Sequence, residues 1–115
     1  MKAKRDFLTY LEDMYDATLK GISFINDVTY EQFKEDDKTQ YALIRAIEVI
    51  GEAAKKIPNE IRKQSKEIPW SDVSGMRDFL IHDYFGININ VVWETAKKDL
   101  PELNVKLQQL IKNLK

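Results

Sequence analysis

The chain has no cysteine among its 115 residues. Disulfides, thiolate metal sites and cysteine nucleophiles are therefore excluded, and the absence fits a reducing cytoplasm. Long apolar runs are also missing. No stretch approaches the roughly 20 apolar residues of a membrane span, and acidic residues interrupt the N-terminal segment before a signal-peptide core could form. We therefore expect a soluble, cytoplasmic protein that does not associate with membranes.

Glycine and proline are scarce, with 4 and 3 copies, and they separate long segments of helical periodicity. No segment alternates clearly enough between apolar and polar residues to predict a sheet. A chain of 115 residues also has the usual size of one domain. The sequence therefore predicts an all-α fold, an antiparallel bundle of four to five helices, with residues 1–115 forming a single domain.

Two long helices are predicted in the N-terminal half. The first spans roughly residues 5–26, with Gly21 inside its apolar stripe, and the second spans about residues 38–57 and is expected to form the centre of the core. Between them, Thr29 and Gln32 have the three-residue spacing of a capping box, which predicts a short capped helix.

In the C-terminal half, proline, asparagine and other capping residues mark the predicted helix boundaries. The helix that contains the sequence "GMRDFLIHDYFG", residues 75–86, is expected to begin at a capping serine or aspartate and to end near its last glycine. The predicted boundary residues are, in chain order, Pro58, Ser71 or Asp72, Asn88 or Asn90, and Pro101, which opens or kinks the last helix.

Charge of one sign is not in excess, because 18 basic residues face 19 acidic ones. No strong overall field therefore draws the chain to nucleic acid, and any such surface must come from local charge segregation or from assembly of two chains. Most exposed lysines only solvate helices. The candidate basic residues form two groups: Lys55, Lys56, Arg62, Lys63 and Lys66, and Lys97, Lys98, Lys106, Lys112 and Lys115.

The single histidine, His82, lies in the quoted sequence between Arg77 and Tyr84. Imidazole titrates near neutrality, so it can take a proton from a ribose hydroxyl or give one to a leaving oxygen. Guanidinium can hold a phosphate through a planar pair of hydrogen bonds. Asp78, four residues before His82, can fix its tautomer. These residue types suit cleavage of an RNA phosphodiester without a metal ion.

Helical geometry separates Arg77 and His82 by about 140° around one straight helix. They are therefore poorly placed to act together within one chain, and one chain holds no second imidazole to serve as the acid. A symmetric dimer supplies two copies of each group and lets Arg77 of one protomer face His82 of its partner. The enzyme hypothesis thus predicts a homodimer with this motif at the interface.

Together, Arg77, His82 and Tyr84 form the pattern R-x4-H-x-Y, which resembles that of the HepT-like toxins of the HEPN superfamily. The segments "YALIRAIEVIGEAAKKIP", "IPWSDVSGMRDFLIHDYFGIN" and "VVWETAKKDLPEL" extend the resemblance over nearly the whole chain. The resemblance implies a HEPN-like helical bundle that dimerises across the motif and cleaves RNA with Arg77 and His82. Asp78 matches the polar residue that commonly follows the arginine.

The same resemblance implies a type VII toxin–antitoxin pair. The partner would be an MntA-like minimal nucleotidyltransferase, which attaches AMP to the motif tyrosine, here Tyr84, and silences the nuclease. Each AMP adds negative charge and bulk where RNA phosphates should approach Arg77.

Two alternatives remain. A non-catalytic helical subunit could bind a nucleotidyltransferase or a nucleotide, with His82 satisfied by Asp78 and Arg77 in a surface ion pair. A metalloenzyme is disfavoured because one histidine and scattered carboxylates give no ligand cluster, so no metal or cofactor is expected. Base stacking is a further possible role for aromatic residues that otherwise belong to the core: Trp70, Tyr84, Phe85 and Trp93.

Overall fold

The computed structural model describes residues 2–76, 78 and 88–115. The helices are α1 (Lys2–Phe24), α2 (Tyr30–Lys34), α3 (Asp37–Ala54), α4 (Asn59–Arg62), α5 (Trp70–Ser74), α6 (Ile89–Glu94) and α7 (Leu100–Leu114), with a π-helical turn (Thr95–Asp99) before α7. Across these ranges every regular element is helical, so the predicted all-α, HEPN-like bundle is confirmed. None of the described helices is long and apolar enough to cross a membrane.

Helix α3 packs against α1, α2, α5 and α6 and buries nine of its residues, so it forms the centre of the core as predicted. Helix α1 packs against both α3 and α7. Its side chains Leu11 and Met14 are fully buried, as is Leu107 of α7. Polar contacts fix the same pairing, because the Asn104 amide donates to the buried Thr18 hydroxyl at 2.9 Å and the Lys115 ammonium pairs with Glu12 at 3.1 Å. These contacts run in opposite chain directions and make α1 and α7 antiparallel.

Gly21 does not interrupt α1, although a glycine inside a helix normally weakens it. A Cβ atom placed here would lie 2.5 Å from Leu100 Cδ1 and 3.3 Å from Leu43 Cδ1. Gly21 therefore marks the place where α1 approaches α3 and the start of α7 most closely, and the helix gains packing in return for the lost propensity.

The predicted capping box at the start of α2 is present, and α3 also begins at a capping residue that was not predicted from the sequence. Thr29 and Gln32 form the expected capping box, with bonds of 3.1 and 2.9 Å between each side chain and the other residue's backbone amide. Asp36 caps α3 by accepting from the Thr39 amide at 3.1 Å and the Thr39 hydroxyl at 2.6 Å. The Thr39 hydroxyl and amide bonds to the Asp36 carboxylate lower its pKa.

Several predicted boundaries move by a few residues. Helix α1 ends at Phe24 rather than near residue 26, because Asp27 takes a left-handed conformation with φ 61° that a helix cannot continue. Helix α5 begins at Trp70 with Pro69 at its N-cap, so the expected caps at Ser71 and Asp72 are wrong. Burial of the Trp70 ring fixes this earlier start.

Of the two asparagines considered as caps for α6, Asn88 is the one used. Its side-chain oxygen accepts from the amides of Asn90 at 3.0 Å and Val91 at 3.3 Å. Pro101 was expected to open or kink the last helix, and it lies in the first turn of α7, directly after a π-helical turn. Proline has no N–H to bond the carbonyl four residues earlier, and the turn just before α7 widens so that the Leu100 amide bonds the Thr95 carbonyl.

Candidate functional site

Three of the predicted site residues, Arg77, His82 and Tyr84, lie outside the described residues, as does Phe85. Asp78 is described. Its side chain is exposed, and its backbone amide donates to the Gly75 carbonyl at 3.0 Å. The structure therefore shows the contacts that hold the segments on either side of the motif. We call α4, α5 and the chain between them the upstream flank, and α6 with the ring contacts around it the downstream flank.

The upstream flank is held by Trp70, whose side chain is only 8% exposed. Its indole N–H donates to the Ser65 carbonyl at 3.1 Å and to the Arg62 carbonyl at 3.2 Å, which ties α5 to the end of α4. One turn later Val73 is buried, and Met76 packs against the same core. The chain therefore enters the motif from a fixed position, and Trp70 serves the core instead of stacking on bases.

Arg62 was a candidate phosphate ligand, but its guanidinium is engaged within the chain. It donates to the Ala54 carbonyl at 2.8 Å and to the Ile57 carbonyl at 3.0 Å, at the C-terminal end of α3. It also lies over the Trp70 ring, 5.6 Å from the centroid. Arg62 is therefore a structural clamp. No local sequence pattern reveals it, because its acceptors precede it by five and eight residues across Pro58.

The downstream flank is held by Trp93, which is half-buried. Its ring packs on Phe33 at a centroid distance of 5.1 Å and on Tyr30 at 5.7 Å, and Lys97 lies 5.5 Å above it. These contacts join α6 to α2 at the far end of α3. Trp93 already has ring partners on α2, so the structure places it in a packing cluster and gives no separate support to base stacking.

Beside the start of the motif, a small cleft of about 120 Å³ lies between α5 and α7. Its rim carries the carboxyl groups of Asp72, Asp99 and Glu102, and burial, followed by the neighbouring Glu102, raises the pKa of Asp99. This negative lining disfavours a phosphate. Across the described residues, no group of three or more histidine, cysteine, aspartate or glutamate side chains could hold a metal ion.

The second group of candidate basic residues is largely engaged within the chain. Lys98 pairs with Glu94 at 3.3 Å, Lys115 pairs with Glu12, and Lys106 donates to the Glu67 carbonyl at 3.0 Å. Exposed pairs of this kind contribute little stability, but they do neutralise local charge. The second group therefore does not form a concentrated positive surface.

The first group is different, since Lys55, Lys56, Lys63 and Lys66 are all exposed. Of these four, only Lys55 has an ion-pair partner among the described residues, Glu52 at 3.9 Å. A nearly neutral chain can bind nucleic acid only where positive charge is locally concentrated. The segment that leads to the motif has such a concentration of exposed lysines.

Comparison with known proteins identifies relatives along most of the chain. The family model "Ribonuclease HepT-like" matches residues 8–110. The chain is 46% identical over 109 residues to "Probable ribonuclease HepT" of Thermococcus cleftensis, covering 95% of this chain and 99% of the relative. No solved structure gave a significant match.

Two further relatives are each named "Putative RNase". The one from Methanocaldococcus jannaschii is 45% identical over 96% of both chains. The one from Caldanaerobacter subterraneus subsp. tengcongensis is 37% identical, over 92% of this chain and 95% of the relative.

Proposed function

This chain belongs to the HepT-like ribonuclease family and is an endoribonuclease, and we propose that it cleaves RNA without a metal ion, as the toxin of a toxin–antitoxin pair. The observation that carries the proposal is the R-x4-H-x-Y pattern of Arg77, His82 and Tyr84, which falls inside the residues matched by the family model. It places an acid–base group, a fixed cation and a phenol within one short segment.

In the proposed reaction the ribose 2′-oxygen attacks the adjacent phosphorus and the bond to the 5′-oxygen breaks. One imidazole takes the 2′-hydroxyl proton, and the leaving 5′-oxygen receives a proton, so the products are a 2′,3′-cyclic phosphate and a 5′-hydroxyl. Arg77 holds the phosphate and stabilises the charge that develops on its oxygens. Asp78 supports the tautomer of His82.

The working form is proposed to be a homodimer, because one chain supplies only one imidazole. Two protomers related by a two-fold axis would provide a base and an acid at one shared site and would let Arg77 of each chain face His82 of the other. Light scattering at micromolar protein concentration should give the mass of two chains, and a monomer that still cleaves RNA would contradict the shared site.

The proposed control acts on Tyr84. An MntA-like nucleotidyltransferase would transfer AMP from ATP to its hydroxyl, with pyrophosphate leaving, and the added phosphates would repel RNA beside Arg77. After co-expression with the neighbouring nucleotidyltransferase, intact mass should increase by whole AMP groups in the wild-type chain and not in Tyr84→Phe. AMP that stays on Tyr84→Phe would place the modification elsewhere.

The nuclease activity is tested with purified, unmodified protein and single-stranded RNA in EDTA. Wild type should produce 2′,3′-cyclic phosphate ends, and His82→Ala or Arg77→Ala should lose cleavage by about 100-fold or more. Equal activity in wild type and His82→Ala would exclude the proposed chemistry. An inert wild type that still binds the nucleotidyltransferase would favour the non-catalytic partner subunit instead.

A further inference from the structure

The two connections at opposite ends of α3 carry opposite charge. Residues 55–66, after the helix, hold five basic residues and one acidic residue, a net charge of +4. Residues 27–36, before it, hold four acidic residues and one basic residue, a net charge of −3. Helix α3 has 18 residues and therefore separates the two connections by roughly 27 Å. The chain is nearly neutral overall, but the two connections of α3 carry charge of opposite sign.

Within the basic connection, three ammonium groups have no acidic partner among the described residues. Lys56, Lys63 and Lys66 are exposed, and none of them forms an ion pair in the part of the chain that the structure describes. We call these three residues the lysine cluster. At the other end of the bundle, Lys20 and Lys98 are each paired with an acidic residue one helical turn earlier. The three residues of the lysine cluster therefore differ from Lys20 and Lys98 in having no ion pair among the described residues.

The lysine cluster is also attached rigidly to the chain that enters the motif. Arg62, which lies between Lys56 and Lys66 in sequence, clamps the carbonyls at the end of α3. The Trp70 indole then binds the carbonyls of Arg62 and Ser65, immediately beside Lys63 and Lys66. Trp70 precedes Arg77 by seven residues, so even a fully extended chain would separate them by no more than about 25 Å. A single strand could contact both places.

From this placement we propose that the lysine cluster binds the phosphodiester backbone of single-stranded RNA next to the nucleotides that are cut. The inference rests on the proposed ribonuclease function and extends it by naming where the substrate lies. Lysine contacts to phosphate release counterions and carry no base information, so this surface supplies affinity without sequence preference. The acidic connection at the opposite end of α3 repels RNA phosphates. The strand therefore extends from the motif towards the lysine cluster and not towards the acidic connection.

The test compares two triple variants with the same change of net charge. Lys56, Lys63 and Lys66 are replaced by alanine in the cluster variant, and Lys20, Lys38 and Lys98 in the control variant. Each is made in wild type for cleavage and in His82→Ala for binding, so that RNA is not consumed. Binding is measured with a fluorescent single-stranded RNA over a range of salt concentrations, and cleavage with the same RNA in EDTA.

We expect the cluster variant to bind RNA roughly tenfold more weakly or worse, with a salt slope smaller by about 2, since single strands lose about 0.7 per phosphate contact. Cleavage at subsaturating RNA should fall in parallel and recover at high RNA concentration. The control variant should change both by less than about twofold. A third variant with arginine at the three cluster positions should keep affinity and slope, which excludes misfolding as the cause of the loss.

Equal RNA binding by the cluster and control variants would overturn the proposal even if wild type cleaves RNA. Conversely, a wild type that binds RNA through the cluster but does not cleave it would support the binding surface while contradicting the proposed function. Loss of binding to the nucleotidyltransferase with RNA binding unchanged would assign the cluster to the protein partner and would also overturn the proposal. A wild type that neither binds nor cleaves RNA would contradict both.

Discussion

The two flanks of the motif each contain one tryptophan, but different contacts hold these two side chains in place. At the basic end, Trp70 is buried and its N–H is satisfied by two carbonyls. At the acidic end, Trp93 is half-buried and is held by the faces of Tyr30 and Phe33. The upstream flank is therefore part of the core, while the downstream flank depends on the packing of short capped helices.

The difference between the two ends of α3 is consistent with the proposal that single-stranded RNA binds only at the basic end. At the basic end, Arg62 and Trp70 form the structural contacts, and the lysines next to Arg62 and Ser65 in sequence are exposed. The acidic end uses its carboxylates differently, since Asp36 caps α3. Gln40 is buried there and donates to the Phe33 carbonyl at 2.8 Å, closing the end of α2. The comparison predicts that stability is concentrated upstream of the motif.

The largest effect should come from Trp70→Ala, which removes a buried ring and leaves a cavity. We expect the free energy of unfolding to fall by about 3–5 kcal/mol, measured by urea denaturation. Trp70→Phe keeps most of the ring volume but leaves two carbonyls without the indole donor, and should cost about 1–2 kcal/mol. Equal losses in the two variants would mean that the hydrogen bonds, and not the buried ring, hold the upstream flank.

Trp93→Ala should cost less, about 2 kcal/mol, because only part of its ring is removed from water. The same denaturation experiment measures it. Tyr41→Ala is the matched control, since that aromatic side chain is 74% exposed and its truncation should change stability by no more than about 0.5 kcal/mol. A loss for Trp93→Ala as large as that for Trp70→Ala would break the contrast between the flanks.

Asn88→Ala removes the cap of α6 directly after the motif and should cost about 1 kcal/mol. Its neighbour Asn90 lies on the same exposed turn, and only its backbone amide takes part in the cap. Asn90→Ala is therefore expected to stay within about 0.5 kcal/mol of wild type in thermal or urea unfolding. Reversal of these two results would assign the cap to Asn90.

The smallest effect is the pH dependence at the acidic end. The pKa of Asp36 is lowered in the folded chain, so its carboxylate stabilises the fold above its ordinary pKa and loses this effect as pH falls towards the folded value. Asp36→Asn should therefore be less stable than wild type near neutral pH, and the difference should shrink between about pH 5 and about pH 2.

The neighbouring Asp37→Asn is the control for this titration, because Asp37 makes no side-chain hydrogen bond or ion pair among the described residues. If the two variants have parallel pH profiles, the cap of α3 does not depend on the charge of Asp36.

Local features were predictable where a residue acts on its own neighbours. The capping box of Thr29 and Gln32 and the cap at Asn88 follow from side chains that bond amides two or three residues away. The start of α5 was not predictable in this way. Ser71 and Asp72 are good capping residues, but burial of Trp70 in the core fixes the helix start two or three residues earlier.

The sequence by itself determined the helical class of this protein, the family to which it belongs and the motif of Arg77, His82 and Tyr84, because periodicity, caps and motif spacing are local properties of the chain. Only the tertiary structure decided which basic residues remain open to a substrate. Arg62 and Lys63 are adjacent and equally charged, yet one clamps the end of α3 and stacks on the Trp70 ring while the other is exposed. That distinction depends on how α3, α4 and α5 pack together, with contacts five and eight residues apart that no local sequence pattern records.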